Sequence, residues 1–327
     1  MIKVGFIGVG GISAVHLRFL QTRRDVRVVA LCDIKAATLQ HRIAEFGGRP
    51  YRYFHDMLAR EALDAVWLCT PPQVRREPLL DCARRGIAVF CEKPVERDAT
   101  VAAGIARALA RLAAKVQIGY VFRAAPLVAR LRAAMADDTL RVVQSFYGCP
   151  MSRERTMPAW FFDKQKSGGA LIDQATHNFD LLRCLFGEVR TVCGLAHNPA
   201  QPKRGTYTID ETLALCLHFE NGMVGTHTHS WLADSWRNEI HLSGEKRVYR
   251  LNLGTQVLTV DDGTRIRAYA CARGSMYAHE NVVFLRMLAR DDWRANPCTY
   301  ADSLRTLRLT LAADRAIETR RTVVVAH

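Results

Sequence analysis

Three groups of residues in this 327-residue chain have types and spacings suited to chemistry. Asp173 and His177 stand four apart in an apolar stretch, so on a helix they share one face. An imidazole with an ordinary pKa of ~6.5 exchanges protons near neutral pH, and a neighbouring carboxylate can orient it. Such a pair alone has two readings, a surface or satisfied buried pair, or acid/base machinery. Its position after the Ser167-Gly168-Gly169 turn favours the second. The second group, Cys91-Glu92-Lys93-Pro94, follows a strand-like run. Its lysine ammonium could stabilise a developing alkoxide or carbonyl oxygen. Taken alone, the same charges could simply mark a strand's exit to solvent. The third group is Gly8-Val9-Gly10-Gly11-Ile12-Ser13, followed 25 residues beyond Gly8 by Asp33. Glycines at the start of a helix let a pyrophosphate approach the backbone, and the helix N-terminus supplies N–H groups and positive dipole. A carboxylate such as Asp33 can accept the adenosine ribose hydroxyls and repel a 2′-phosphate; the plainer alternative is a cap for the next helix. Ile34, with no arginine beside Asp33, favours NAD, while Lys35 leaves NADP open.

These groups need elements to place them. Over the first 120 residues, apolar runs at 3–7, 26–32, 65–69, 87–91 and 116–119 alternate with helical patterns at 13–22, 36–46, 78–85 and 99–114. That is the pattern of a parallel sheet covered on both faces. The glycine turn, Thr70-Pro71 and Glu92-Lys93 all follow strand ends, where open α/β sheets bind ligands. The remainder reads as α+β. A helix spans about 169–186, and strands are expected at 189–195, 213–219, 223–230, 239–243, 248–253, 255–260 and 264–269. Turns such as Glu220-Asn221-Gly222 and Asp261-Asp262-Gly263 separate strands. Helices at 276–288 and 300–319 and a strand at 321–325 close the chain.

Composition narrows the function. Apolar residues are 49% and charged residues 24%, as in a globular protein with an ample core. No apolar run approaches the ~18 residues of a membrane span, and the first residues lack signal-peptide features, so a cytoplasmic location is expected. The net charge of +14 comes from 38 Arg and 8 Lys against 32 acidic residues, scattered without a basic run or aromatic interleaving. This argues against nucleic-acid binding. The ten cysteines form no CxxC motif and read as buried reduced thiols. His227 and His229 share a strand face, and a metal there would need a third ligand such as His218 or His241. We expect no metal, because a sheet-face or interface role accounts for the pair.

Gly8-x-Gly10, Asp33, Thr70-Pro71, Glu92-Lys93-Pro94, Gly119-Tyr120-x-x-Arg123-x-x-Pro126 and Gly168-Gly169 with Asp173-x-x-x-His177 occur in one order. In this the sequence resembles the glucose–fructose oxidoreductase/inositol dehydrogenase (Gfo/Idh/MocA) family over essentially its whole length. The resemblance implies a Rossmann dinucleotide-binding domain over 1–121. It also implies an α+β domain with a large, mostly antiparallel open sheet over 122–327, and an active site between the two. The implied activity is NAD(P)-dependent hydride transfer between a nicotinamide cofactor and a secondary alcohol or ketone of a sugar, cyclitol or related polyol. By motif position, Lys93, Asp173 and His177 correspond to the catalytic trio. Expected cofactor contacts are Gly8, Gly10, Gly11, Ile12, Asp33, Ile34, Thr70, Pro71, Glu92, Lys93 and Tyr120. Expected substrate contacts are Lys93, Trp160, Asp173, His177 and Tyr277, with Lys166 a further candidate. His177 is read as the acid/base, Lys93 as the electrostatic anchor and Asp173 as the orienting carboxylate, with the roles of His177 and Lys93 open to exchange. Trp160 is a candidate to stack on a sugar face, with core packing as the alternative. The chain departs from the family where Pro72-Gln73-Val74-Arg75 replaces the frequent Asn-x-x-His, and in Phe122 and Ala124-Ala125 around Arg123. Two alternatives stand beside the dehydrogenase: an NAD-dependent glycosidase acting by transient oxidation, and a non-catalytic NAD- or sugar-sensing regulator. A homodimer or homotetramer is expected.

Overall fold

Six short strands form a wholly parallel sheet in the computed structural model, which describes residues 1–151, 159–199, 205–272 and 275–326. They are β1 (Ile2–Ile7), β2 (Val26–Cys32), β3 (Arg49–Tyr51), β4 (Ala65–Leu68), β5 (Ala88–Glu92) and β6 (Val116–Gly119), in the order β3-β2-β1-β4-β5-β6. Helices α1 (Gly11–Gln21), α2 (Ala36–Phe46), α3 (Phe54–Arg60), α4 (Arg76–Arg84) and α5 (Ala99–Arg111) connect them. This is the doubly wound order of a dinucleotide-binding fold, with its switch point between β1 and β4. The central strands are apolar throughout because helices cover both faces; every residue of β4 and β5 is buried. The sequence reading missed β3 and α3: β3 has three residues with Pro50 at its centre, too short for a periodic signal.

The chain divides into two units, 1–121 with 276–304, and 122–275 with 305–327. The contiguous division at 121/122 therefore needs correcting for 276–304. Helix α9 (Ser275–Arg290) buries Phe284, Leu285 and Met287 in the same core as Phe6, Trp67 and Phe90. Phe284 meets the Trp67 ring edge-on at 5.0 Å, while Trp67 stacks on Phe6 at 5.7 Å and on Phe90 at 5.9 Å. Nothing local in the sequence reveals this long-range apolar docking.

The second unit holds a nine-stranded mixed sheet. Its strands are β7 (Leu140–Gly148), β8 (Val189–His197), β9 (Thr212–Phe219), β10 (Val224–Ser230), β11 (Arg237–Gly244), β12 (Val248–Asn252), β13 (Val257–Asp261), β14 (Ile266–Ala270) and β15 (Val323–Val324). The order is β14-β13-β12-β11-β7-β10-β9-β8-β15, and the β7–β10 pair is parallel. Burial alternates along β9 and β10, so one face is packed and the other open. Helix α6 (Pro126–Ala134) contributes the buried Leu127, Val128 and Leu131. The short α7 (Lys164–Ser167), α8 (Thr176–Phe186) and α10 (Tyr300–Thr319) complete the helices used below. All ten cysteines are free, and burial pushes the Cys82 thiol up to about 12. Among the described residues no helix is long and apolar enough to cross a membrane.

Candidate functional site

In the first unit the glycine turn leaves β1 with Gly8 at φ +83°, its N–H donating to the Cys32 carbonyl at 2.8 Å. A Cβ on Gly8 would lie 2.8 Å from the Thr70 backbone nitrogen, so only glycine fits. A Cβ on Gly10 or Gly11 would meet nothing within 4 Å. These two glycines border open space at the start of α1, whose Gly10 N-cap has no side-chain cap. Ser13 is fully buried, and its hydroxyl donates to the Gly10 carbonyl at 2.7 Å, shaping the turn from within. Asp33 accepts the Val9 N–H on one carboxylate oxygen (2.9 Å) and the Lys35 N–H on the other (2.8 Å). Each oxygen keeps a second lone pair, so the carboxylate braces the glycine turn and can still accept ribose hydroxyls. Ile34 is 71% exposed beside it. Arg42, which sequence reading did not single out, donates to the Val9 carbonyl at 3.3 Å and pairs with Glu45 at 2.6 Å. The turn, the open space and the braced carboxylate fit a dinucleotide.

β4 and β5 end beside this turn in the same parallel sheet. Thr70 is half-buried with Pro71 exposed next to it, Glu92 is buried and Lys93 half-buried. Glu92 accepts a hydrogen bond from His16 Nε2 at 2.9 Å. His16 Nδ1 faces the Asn281 side chain, whose nitrogen lies at 2.9 Å and oxygen at 3.2 Å. That oxygen already accepts from Trp67 Nε1 at 2.9 Å, and the amide nitrogen also donates to the Tyr277 carbonyl at 2.7 Å. The consistent assignment has Asn281 donating to Nδ1 and His16 donating through Nε2 to Glu92. Sequence reading missed His16 and Asn281, which are 265 residues apart, although His16 falls on the inner face of α1. Tyr277 packs its ring edge-on to His16 at 6.2 Å, and burial, with Glu92 and Glu280 nearby, pushes its hydroxyl pKa up. Tyr120, just beyond β6, is only 2% exposed.

The second unit carries Asp173 and His177 on an irregular helix. Gly168 and Gly169 have φ of +85° and +66°, and a π-helical turn, Leu171–Ala175, leads into α8. The expected continuous α-helix over 169–186 is thus corrected at Asp173, which lies in the wider turn. Such turns recur at functional sites. Asp173 and His177 are both half-buried. The His177 ring lies 5.1 Å from Phe122. Gln174 accepts from Trp231 Nε1 at 2.7 Å and from the Cys149 thiol at 2.8 Å, which anchors the π turn to the sheet. Trp160 belongs to a single 3-10 turn, Ala159–Phe162, and its side chain lies outside the described residues. Lys166 is a surface side chain, 61% exposed, with its ammonium 3.2 Å from Asp163.

Arg123, prominent in the sequence motif, makes a bidentate pair with Asp180, both contacts at 2.6 Å. Thr306 also donates to Asp180 at 2.9 Å. Burial pushes the Asp180 carboxyl up despite the pull of Arg123. His227 and His229 are fully buried, with ring centroids 6.0 Å apart. The register sets His227 beside Ser145 and Leu215, on the packed face. His218 pairs with Val224, and His241 with Gln144, on the opposite face, so neither can be their third ligand.

A model described as the oxidoreductase family with an NAD-binding Rossmann fold matches residues 2–120, and one for the GFO/IDH/MocA C-terminal domain matches 128–250. The chain belongs to the Gfo/Idh/MocA family. Among its relatives, inositol 2-dehydrogenase of Rhizobium meliloti (strain 1021) is 31% identical over 57% of this chain. The match spans only 56% of that relative's length. Myo-inositol 2-dehydrogenase of Thermotoga maritima is 24% identical over 98% of both chains. A levoglucosan dehydrogenase solved in complex with NADH superposes with a TM-score of 0.87 at 18% identity, covering 100% of this chain and 99% of its own. That likeness shows the fold alone. The Gfo/Idh/MocA assignment brings with it an NAD-binding Rossmann domain over residues 2–120, the stretch that holds the parallel sheet described above.

Proposed function

We propose that this chain is a dehydrogenase or reductase that moves a hydride between NAD and a secondary alcohol or ketone of a sugar, cyclitol or related polyol. One observation carries the reading. Gly8, Thr70 and Lys93 directly follow or lie within two residues of the carboxyl ends of β1, β4 and β5, adjacent strands of one parallel sheet. Parallel strands put all three at the same edge, the ligand-binding edge of such sheets, on the β1/β4 switch point. The relatives named as inositol dehydrogenases support a polyol substrate.

The bound nicotinamide supplies the hydride acceptor or donor. Lys93, with its ammonium, donates a hydrogen bond to the substrate oxygen and stabilises the negative charge that grows there. His177 takes the hydroxyl proton on oxidation and returns it on reduction. Asp173 orients the imidazole or binds a neighbouring hydroxyl. Glu92 is held from below by His16. The Asp33 carboxylate disfavours a 2′-phosphate, so NAD is the preferred dinucleotide. A second copy of the chain is the assigned partner, giving a homodimer or homotetramer.

The test is a screen of inositols, sugars and sugar acids with NAD and NADP separately, following reduced nicotinamide absorbance. NAD-dependent turnover that falls by ~10²-fold or more in His177→Ala supports the reading. NADH binding with no turnover on any polyol would favour a sensor. Product release from a glycoside without net NADH would favour the glycosidase.

A further inference from the structure

Arg75 carries a buried charge that the mechanism does not use. Its residue is 4% exposed at the start of α4. The guanidinium makes no carboxylate ion pair among the described residues; its partners are main-chain oxygens. Nε donates to the Thr70 carbonyl at 2.7 Å. Nη1 donates to the Pro94 carbonyl at 2.5 Å and to the Glu92 carbonyl, and Nη2 reaches the Lys93 carbonyl at 3.3 Å. Three of these contacts grip the consecutive carbonyls of Glu92, the last residue of β5, Lys93 and Pro94, and the fourth ties them to Thr70, two residues beyond β4.

A buried guanidinium is costly unless its donors are satisfied. A fork of five N–H groups suits several carbonyls at once, which a lysine ammonium does less well. β5 ends at Glu92, so the carbonyls of Lys93 and Pro94 lie beyond the ladder and need donors from elsewhere. We propose that Arg75 is a positioning residue for Lys93, its guanidinium fixing the main chain from Glu92 to Pro94 and so the direction in which the lysine ammonium is presented. This rests on the reading of Lys93 given under the proposed function. Displacement of a reacting group by about 1 Å can cost about 10²-fold in rate, so a clamp on this segment has leverage on turnover.

The experiment compares the wild-type chain with Arg75→Met, which keeps bulk and removes every donor, and Arg75→Lys, which keeps charge with a smaller donor set. Hydrogen exchange by mass spectrometry reads the segment 92–97 directly and needs no substrate. Fluorescence titration reads NADH affinity, and the best polyol from the screen gives kcat and KM. In Arg75→Met we expect exchange in 92–97 to quicken by about tenfold or more, with the β1–α1 peptides unchanged. NADH affinity stays within about threefold, and kcat falls about tenfold or more at nearly constant KM, with partial recovery in Arg75→Lys. Unchanged exchange in 92–97 overturns the proposal. So does loosening spread evenly over the first unit, which would make Arg75 a general stabilising residue. If Arg75→Met does not fold, Arg75→Lys carries the test, and exchange or kcat indistinguishable from wild type overturns it. Local loosening without turnover in any protein leaves the clamp intact and sinks the dehydrogenase reading alone.

Discussion

The side chains near the motifs divide by what they satisfy. Arg123 sits in a run that carries the family resemblance, yet its guanidinium pairs with Asp180 in the interior of the second unit. Breaking a buried bidentate pair leaves an uncompensated charge, so Arg123→Met should destabilise the fold by about 3–5 kcal/mol. Arg123→Met combined with Asp180→Leu should recover most of that loss, because no lone charge remains. Urea unfolding of the two variants and the wild type gives the comparison; equal losses in the single and double variants would mean that packing, not charge, dominates. Residues of this kind mark where sequence reading stops. Asp33, Glu92, Lys93, Asp173 and His177 can be singled out as candidates from sequence because each stands at a fixed offset from a glycine turn or strand end. His16, Asn281 and Arg75 cannot, since their roles arise from partners up to 265 positions away, or from main-chain carbonyls that no side-chain pattern encodes.

At the scale of elements, alternation of apolar runs and amphipathic helices was enough to place the parallel sheet, because buried parallel strands must be apolar throughout. It could not reveal the π turn at Leu171–Ala175, whose composition differs little from that of an α-helix, nor the docking of α9 in the first unit's core. The glycine turn shows how an element separates folding from binding. Gly8 is required by the chain itself, at φ +83° with Thr70 against it, whereas Gly10, at φ −71° and ψ −153°, needs no positive φ. A methyl at Gly10 would meet no protein atom. Gly10→Ala should therefore hold its melting temperature within about 2 °C of wild type, while NADH affinity falls by about tenfold or more as the methyl fills the space a pyrophosphate needs. Gly8→Ala should lose both. Differential scanning fluorimetry and NADH fluorescence titration separate the two effects; undiminished NADH binding by Gly10→Ala would place the dinucleotide elsewhere.

Two properties belong to the whole molecule. The first is association. The register puts Val142, Val224, Leu195 and Ile266 on one open sheet face, 39%, 52%, 65% and 64% exposed. Exposed apolar side chains spread over such a face suit a second copy of the chain. Light scattering after size exclusion should give at least a dimer, and Val224→Lys with Leu195→Glu should shift it toward monomer; an unshifted mass would put the interface elsewhere. The second is acid stability. Burial lowers the pKa of His227 to about 3 and that of His229 well below its ordinary value. Neither His229 nitrogen has a hydrogen-bond partner among the described residues, so the ring stays neutral in the folded chain. In the unfolded chain both rings bind a proton near pH 6.5. The unfolded state therefore binds more protons below that pH, and stability, complete above about 6.5, must decline as the pH falls toward 3. Each histidine contributes a slope of up to about 1.4 kcal/mol per pH unit over that window. His229→Leu, which fills a similar volume with nothing to protonate, should flatten the urea-unfolding free energy between pH 6 and 5 by about that amount. A slope identical to wild type would show that His229 already carries its proton inside the fold.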